Sequence, residues 1–217
     1  HAAALLESGA GIDGVCLHVE SAPGKSRRIK IFGSPHRHEE VNGRAFRIEE
    51  RSFFQINIPQ AEKLAALAWD ALRSGEGESI TDGYGGVGLF SLGSAPAGAD
   101  IRLFDSAEWA VDDAAGNART LGFGRFRAHA GGAQESFGQF GPSDRLIVDP
   151  PRTGLGLKVV ETLVRFGAKR IAYVSCNPTT LARDLRLFAG RGYETVRVTP
   201  VDMFPHTYHI ETVAELA

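Results

Sequence analysis

At 217 residues the chain is long enough for one full domain and at most a fragment of another, which excludes a large multidomain assembly. Hydrophobic residues at 43% against 23% charged provide for a real core and exclude a disordered chain, while 24 basic against 26 acidic residues leave a net charge of -2 and no global field to attract nucleic acid. With two cysteines, Cys16 and Cys176, a disulfide framework or a four-thiolate metal or iron-sulfur site within this chain is excluded, and no apolar run approaches the roughly 18 residues of a membrane span.

The opening HAAALLESGAG lacks the cationic start of a secretory signal, so the expected location is cytoplasmic, with no membrane contact. The first residue is His1 rather than Met, from which we expect a fragment or a processed chain. Residues 1–57 carry 8 basic and 7 acidic residues, including Lys25, Arg27, Arg28 and Lys30, and form the more cationic segment. Within it Val15 to Val19, Arg28 to Phe32 and Ala45 to Ile48 are short β-prone runs, separated by APGKS, GSPHRHEE and NG, which read as turns or loops. At Pro59 the period changes: Leu64, Leu67, Ala68, Ala71 and Leu72 recur at helical spacing, and a helix is predicted to about Arg73.

From there strands and helices alternate. ESITD leads into a glycine-rich turn, then IRLFD, a helix from Ala107 to Leu121, RFRAHA, DRLIVD and a helix from Leu157 to Phe166. RIAYVS, a helix from Thr179 to Ala189, TVRVTP and HIETVAEL complete the series. The alternation predicts an α/β fold, a mostly parallel sheet covered by helices on both faces, with ligands at the carboxyl ends of the strands.

The turn after ESITD reads DGYGGVG, and Gly83, Gly85 and Gly88 satisfy G-x-G-x-x-G with Asp105 at the end of the next strand. A nicotinamide dinucleotide and S-adenosylmethionine both need such a side-chain-free turn and such an acid for the ribose. Asp82, at the strand's own end, favours the cationic sulfonium over an anionic pyrophosphate. The competing reading is a tight strand-to-helix turn with no ligand. Asp149 ends the apolar strand RLIV, and Pro150 and Pro151 stiffen the loop that follows. D-P-P also begins the motif of amino-group methyltransferases, but the aromatic clamp of that motif is Arg152 here, which disfavours an amine substrate.

Cys176 stands at the tip of RIAYVS, followed by Asn177, Pro178 and a helix whose start favours a thiolate. Taken without that context, a free cysteine is a small buried hydrophobe, and Cys16 within VCLHV keeps that reading. Glu211 within HIETV reads, on its residues alone, more commonly as a solvent-facing carboxylate on an edge strand. The seven histidines show no H-x-x-x-H or H-E-x-x-H spacing, and no metal is expected.

RSFFQIN (51–57), DGYGGVGLFSL (82–92), VDPPRTGL (148–155), YVSCNPTTLARDL (173–185) and DMFPHTYHIETV (202–213), in this order, resemble the RNA uracil-C5 methyltransferases. The resemblance implies a Rossmann-like class I S-adenosylmethionine-dependent methyltransferase sheet over 58–217, with 1–57 a partial β-rich, RNA-facing segment. It implies Cys176 as nucleophile, Glu211 as general base and Asp149 as a cleft carboxylate touching cofactor and target base. Gln55, Tyr84, Gly86, Gly88 and Asp105 fall at cofactor-binding positions, with RNA as the partner. The FFQIN and DMFPHT wording resembles the ribosomal-RNA branch more than the transfer-RNA branch, and the family's N-terminal RNA-binding barrel is expected to be lacking. Where the family carries D-L-Y-C-G this chain has D-G-Y-G-G, which is expected to loosen the turn; Asp105 replaces a glutamate and Gly132 an acid. These departures keep a second reading open, an RNA-binding or assembly module with impaired cofactor use.

Overall fold

The computed structural model describes residues 14–22 and 25–217. The opening HAAALLESGAG, residues 23 and 24 of the APGKS turn and the side chains of Lys25, Arg27, Arg28 and Lys30 lie outside the described residues. Strands β1 (Gly14–Ala22) and β2 (Lys25–Gly33) pair antiparallel, as do β3 (His36–Val41) and β4 (Arg44–Glu49). The second hairpin corrects the expectation of a loop through GSPHRHEE. Residues 36–41 form a strand that looks polar because Val41 is the residue of it that is buried. Asn42 and Gly43, with φ of 52° and 72°, form the two-residue turn whose twist suits a hairpin.

Helix α1 (Ile58–Leu72) has proline in its first turn, turns Ala61, Leu64, Ala65, Ala68 and Leu72 inward, and ends where Arg73 adopts a left-handed conformation. Seven strands then form one sheet: β5 (Ser79–Gly83), β6 (Asp100–Asp105), β7 (Phe126–Ala130), β8 (Arg145–Val148), β9 (Arg170–Ser175), β10 (Thr195–Val201) and β11 (Glu211–Leu216). Their order is β10-β11-β9-β8-β5-β6-β7. Neighbours from β9 to β7 are parallel, and β11 runs antiparallel to both β9 and β10.

The central strands are apolar on both sides because both sides are covered. In β9, Ala172 and Val174 join the core of α1, whereas Ile171 and Tyr173 join the opposite core. That second core includes Leu163 of α5 (Gly156–Arg165) and Phe188 of α6 (Pro178–Ala189). The hairpin's Val41, Phe46 and Ile48 enter the first core. It is fastened to α3 (Glu108–Thr120), where Asn117 Oδ1 accepts from Arg47 N–H at 2.8 Å and Asp113 Oδ2 accepts from Glu49 N–H at 2.6 Å.

Two helices had no sequence counterpart. α2 (Leu89–Ser94) is six residues long and almost wholly buried, so it shows no polar face and hence no period. α4 (Ala133–Phe140) buries little beyond Ala133 and Ser136, and its start is set by Glu135, whose Oε2 accepts from Gly132 N–H at 2.8 Å.

From β5 the chain steps to β6 on one side and, later, to β8 on the other. This change of direction opens a crevice at the carboxyl ends of β5 and β8. Because β11 runs the opposite way, its first residue lies at the same edge as the last residues of β9.

Candidate active site

The first wall of the crevice is the turn after β5. Tyr84 and Gly86 both have positive φ, 61° and 53°, so the backbone folds tightly over the strand ends. Gly85 N–H donates to Phe104 O at 3.1 Å and Gly88 N–H to Gly85 O at 2.8 Å. Asp105, at the tip of β6, accepts from Gly86 N–H at 3.0 Å through one oxygen and from Ala107 N–H at 2.8 Å through the other. No atom stands within 4 Å of the position a Gly86 Cβ would occupy, which leaves this face of the turn open to a ligand. Phe53, Gln55, Tyr84, Gly86 and Asp149 share one cleft, and Gln55 lines it although it is only 5% exposed.

The second wall carries Cys176, between β9 and α6. Asn177 caps α6, its Oδ1 accepting from Thr179 N–H at 3.0 Å, while its Nδ2 donates to Arg152 O at 3.2 Å. Thr180 Oγ1 donates to the same Arg152 carbonyl at 3.2 Å. These bonds clamp the loop after Asp149 to the cysteine tip. Thr212 pairs with Ser175, so the antiparallel register sets Glu211 across from Cys176. Glu211 is 5% exposed and β11 is an inner strand, which corrects the reading of a solvent-facing edge carboxylate.

Charge in this wall is crowded. Burial pushes the Glu211 carboxyl up to about 7 against the opposing pull of the Arg152 guanidinium. The Asp149 carboxyl is held well above the usual range, first by burial and then by repulsion from Glu211, Asp82 and Asp105. The Cys176 thiol is pushed up by burial, then by Glu211 and Asp149, with Arg152 opposing. The start of α6 therefore does not by itself yield the expected thiolate: desolvation and two carboxylates outweigh it. Arg152 is the cation that acts on both Cys176 and Glu211, and its Nη2 lies 3.0 Å from His209 Nδ1.

Residues 136–216 match the family model described as tRNA (Uracil-5-)-methyltransferase. Over this stretch the chain is similar to that family. An uncharacterized RNA methyltransferase of Caldanaerobacter subterraneus subsp. tengcongensis is 37% identical over 219 residues, covering 97% of this chain and 48% of that protein. One from Gloeobacter violaceus is 37% identical over 223 residues, covering 99% and 48%. The crystal structure of Pyrococcus abyssi tRNA (uracil-54, C5)-methyltransferase in complex with S-adenosyl-L-homocysteine superposes with a TM-score of 0.76 at 35% identity, covering 88% of this chain and 46% of that one. The sheet is thus that of class I S-adenosylmethionine-dependent methyltransferases, and the chain spans about half the length of these relatives.

Of the residues expected from the uracil-5-methyltransferase pattern, the structure gathers Cys176, Glu211 and Asp149 at one wall and Gln55, Tyr84, Gly86 and Asp105 at the other. Gly88 stands apart. It opens α2 at φ 90°, and a Cβ there would meet Leu92 at 2.6 Å, so it shapes the turn from beneath. Asp82 is fully buried under the turn, where Oδ2 accepts from Ser91 N–H at 3.2 Å, and does not flank a ligand as its sequence position suggested. The expected loosening at Gly83 and Gly85 is also offset: a Cβ at Gly83 would meet the Phe104 ring at 2.5 Å and one at Gly85 would meet Leu103 at 2.6 Å, so neighbours fill both spaces. Cys16 lies on β1, in a different sheet.

Sequence reasoning passed over Asp184. Fully buried in α6, it accepts from Leu155 N–H and the Tyr173 hydroxyl, both at 2.7 Å, and from Gly156 N–H at 3.2 Å. It anchors the far end of the loop that carries Arg152.

Proposed function

We propose that the chain transfers a methyl group from S-adenosylmethionine to C5 of a uridine in RNA, through a covalent adduct between Cys176 and C6. Ribosomal RNA is the target class we favour, on the FFQIN and DMFPHT wording, and the cytoplasm the location. We keep 1–57 as a partial β-rich segment facing RNA and 58–217 as the methyltransferase domain. The observation that carries the reading is the register Thr212–Ser175, which brings Glu211 at the start of β11 near Cys176 just past the end of β9, close to Asp149 and under the charge of Arg152.

The fit to the cofactor rests on three features. The turn is open over Gly86, Asp105 stands at the tip of the second strand for a ribose, and Gln55 and Tyr84 line the same cleft. When bound, S-adenosylmethionine supplies an electrophilic methyl group. Gln55, Tyr84, Gly86 and Asp105 would hold it, with Gly88 setting the turn. The filled spaces beside Gly83 and Gly85 support an enzyme over the assembly-module reading.

Uracil C5 is a poor nucleophile. Cys176, after losing its thiol proton to solvent, would add as thiolate to C6 and convert the ring to an enolate, whose C5 would take the methyl group as the sulfonium S–CH3 bond breaks and leaves a neutral thioether. C5 then carries both methyl and proton. Glu211, raised to about 7, stands in the range where a carboxylate both accepts a proton and is ionised at neutral pH. It removes the C5 proton, the electron pair re-forms C5=C6, and the cysteine sulfur leaves to give 5-methyluridine. Asp149, its carboxyl held well above the usual range by burial and by the neighbouring acids, would contact the target base and the cofactor. The ring reaches Cys176 after being splayed from its stack, which suits a looped RNA.

Cys176→Ala should abolish both 5-methyluridine formation and any protein-RNA adduct. Mapping 5-methyluridine in ribosomal and transfer RNA of cells with and without the gene tests the target class, and an unchanged map in both would refute the reading.

A further inference from the structure

Large apolar side chains stand exposed at scattered points of most proteins without meaning, so the pattern of exposure is what informs. Among the described residues the three most exposed are Tyr208 at 87%, Ile56 at 75% and Phe53 at 74%, while the next reaches only 49%. All three lie on two segments, 51–57 and 202–210. Asn57 Nδ2 ties these together by donating to Met203 O at 3.0 Å. The exposed apolar surface therefore gathers at the rim of the crevice.

Tyr208 is held out by its surroundings. Thr207 Oγ1 donates to Phe204 O at 2.7 Å and accepts from His209 N–H at 3.2 Å, so the backbone is fixed on both sides of the tyrosine. Its ring lies on His209 with centroids 4.1 Å apart and planes 40° from parallel, and Phe204 meets the same imidazole edge-on at 6.1 Å. His209 in turn meets Arg152 at 3.0 Å. One column of contacts runs from the solvent-facing tyrosine to the cation beside Cys176 and Glu211. An aromatic ring fixed in place with an open face, next to a guanidinium and a histidine, has the chemistry that takes a stacked nucleobase and its backbone.

We infer that Tyr208 is the stacking platform for the unpaired nucleobase next to the methylated uridine. The inference rests on the proposed RNA reading and adds to it a recognition residue outside the catalytic group. Stacking reads the flat face of a base and not its edge, so this subsite selects for an unpaired, unstacked neighbour rather than for one base identity.

The test measures methyl transfer from S-adenosylmethionine to single-stranded RNA in which each nucleotide flanking the target uridine is replaced in turn by an abasic ribose. For the wild-type protein, removal of one neighbouring base should raise the RNA KM roughly 5- to 150-fold, the range for one base stacked on one aromatic side chain. Tyr208→Ala should show the raised KM on intact RNA and no further rise on the abasic strand. Tyr208→Phe and Tyr208→Trp should restore the difference. Cofactor affinity and melting temperature should not move, because the ring is almost wholly in solvent. A Tyr208→Ala protein that keeps the wild-type KM, or the wild-type sensitivity to the missing base, overturns the inference and leaves the methyltransferase reading standing. A wild-type protein that methylates no RNA overturns both.

Discussion

The two walls of the crevice are built in different ways. The glycine turn at 82–88 is a matter of shape: positive φ at Tyr84 and Gly86, backbone bonds to Phe104 and Gly85, and spaces at Gly83 and Gly85 filled from β6. The cysteine wall is a matter of charge. Glu211 and Asp149 each raise the thiol, Glu211 raises Asp149, and Arg152 opposes at the thiol and at Glu211. Substitution should therefore act differently on the two sides. At the cysteine wall an isosteric change that removes one titratable group should alter chemistry with little change in fold. At the turn a loss of polar partners should alter binding.

Glu211→Gln tests the first half of this contrast and carries the largest expected effect. It keeps the shape but cannot accept the C5 proton, so methyl transfer proceeds while elimination stalls. Turnover should fall about 10²- to 10⁴-fold, the usual contribution of a positioned acid or base. A methylated protein-RNA adduct should accumulate and survive denaturing electrophoresis. Wild-type turnover in this variant would remove Glu211 from the role of base, with Cys176 still able to be the nucleophile.

Asp105→Ala tests the other half, with a smaller effect. Both carboxylate oxygens brace the turn, one at Gly86 and one at Ala107, and the same group faces the proposed ribose. Loss of such charge-assisted bonds costs about 1 to 3 kcal/mol, so calorimetric titration should show S-adenosylmethionine affinity lowered by roughly 5- to 150-fold. Equal affinity would move the ribose elsewhere.

The same contrast explains what was legible in the sequence. α1 announced itself because Leu64, Ala68 and Leu72 recur on one face against a solvated opposite face, and the β9 run RIAYVS because a strand buried on both sides is apolar throughout. α2 has no solvated face to give contrast, and the charges of His36 to Glu40 masked β3. Within the site, the shape-based half is local in sequence, so its glycine spacing could be read directly. The charge-based half is not local: Glu211 gains its meaning from an antiparallel register that sets it across from Cys176, and nothing in HIETV distinguishes that position from an edge strand. Asp184 escaped notice for the same reason, since its partners Leu155, Gly156 and Tyr173 come from two other segments.

Asp82 blurs the contrast, because it is a titratable group placed in the wall made of shape. Its side chain is fully buried, Oδ2 accepts from Ser91 N–H, and Oδ1 has no partner among the described residues. Burial is the main cause of a carboxyl raised to about 7, with the Ser91 bonds pulling down and Asp105 adding repulsion. An unfolded chain releases this proton near pH 3.9. Between that value and about 7 the folded chain holds a proton the unfolded chain has lost, so stability falls as pH rises through the window. Asp149 and Glu211 are raised as well and contribute with the same sign. Asp82→Asn removes one of these contributions while leaving an oxygen to accept from Ser91. The melting temperature of the wild-type protein should therefore decline between pH 5 and pH 8 more steeply than that of the variant. At this chain length each kcal/mol corresponds to about 2 to 4 °C, which scanning calorimetry resolves. If Asp82→Asn leaves the slope unchanged, the proton is not bound at Asp82, and the carboxylates of the other wall account for the whole pH dependence.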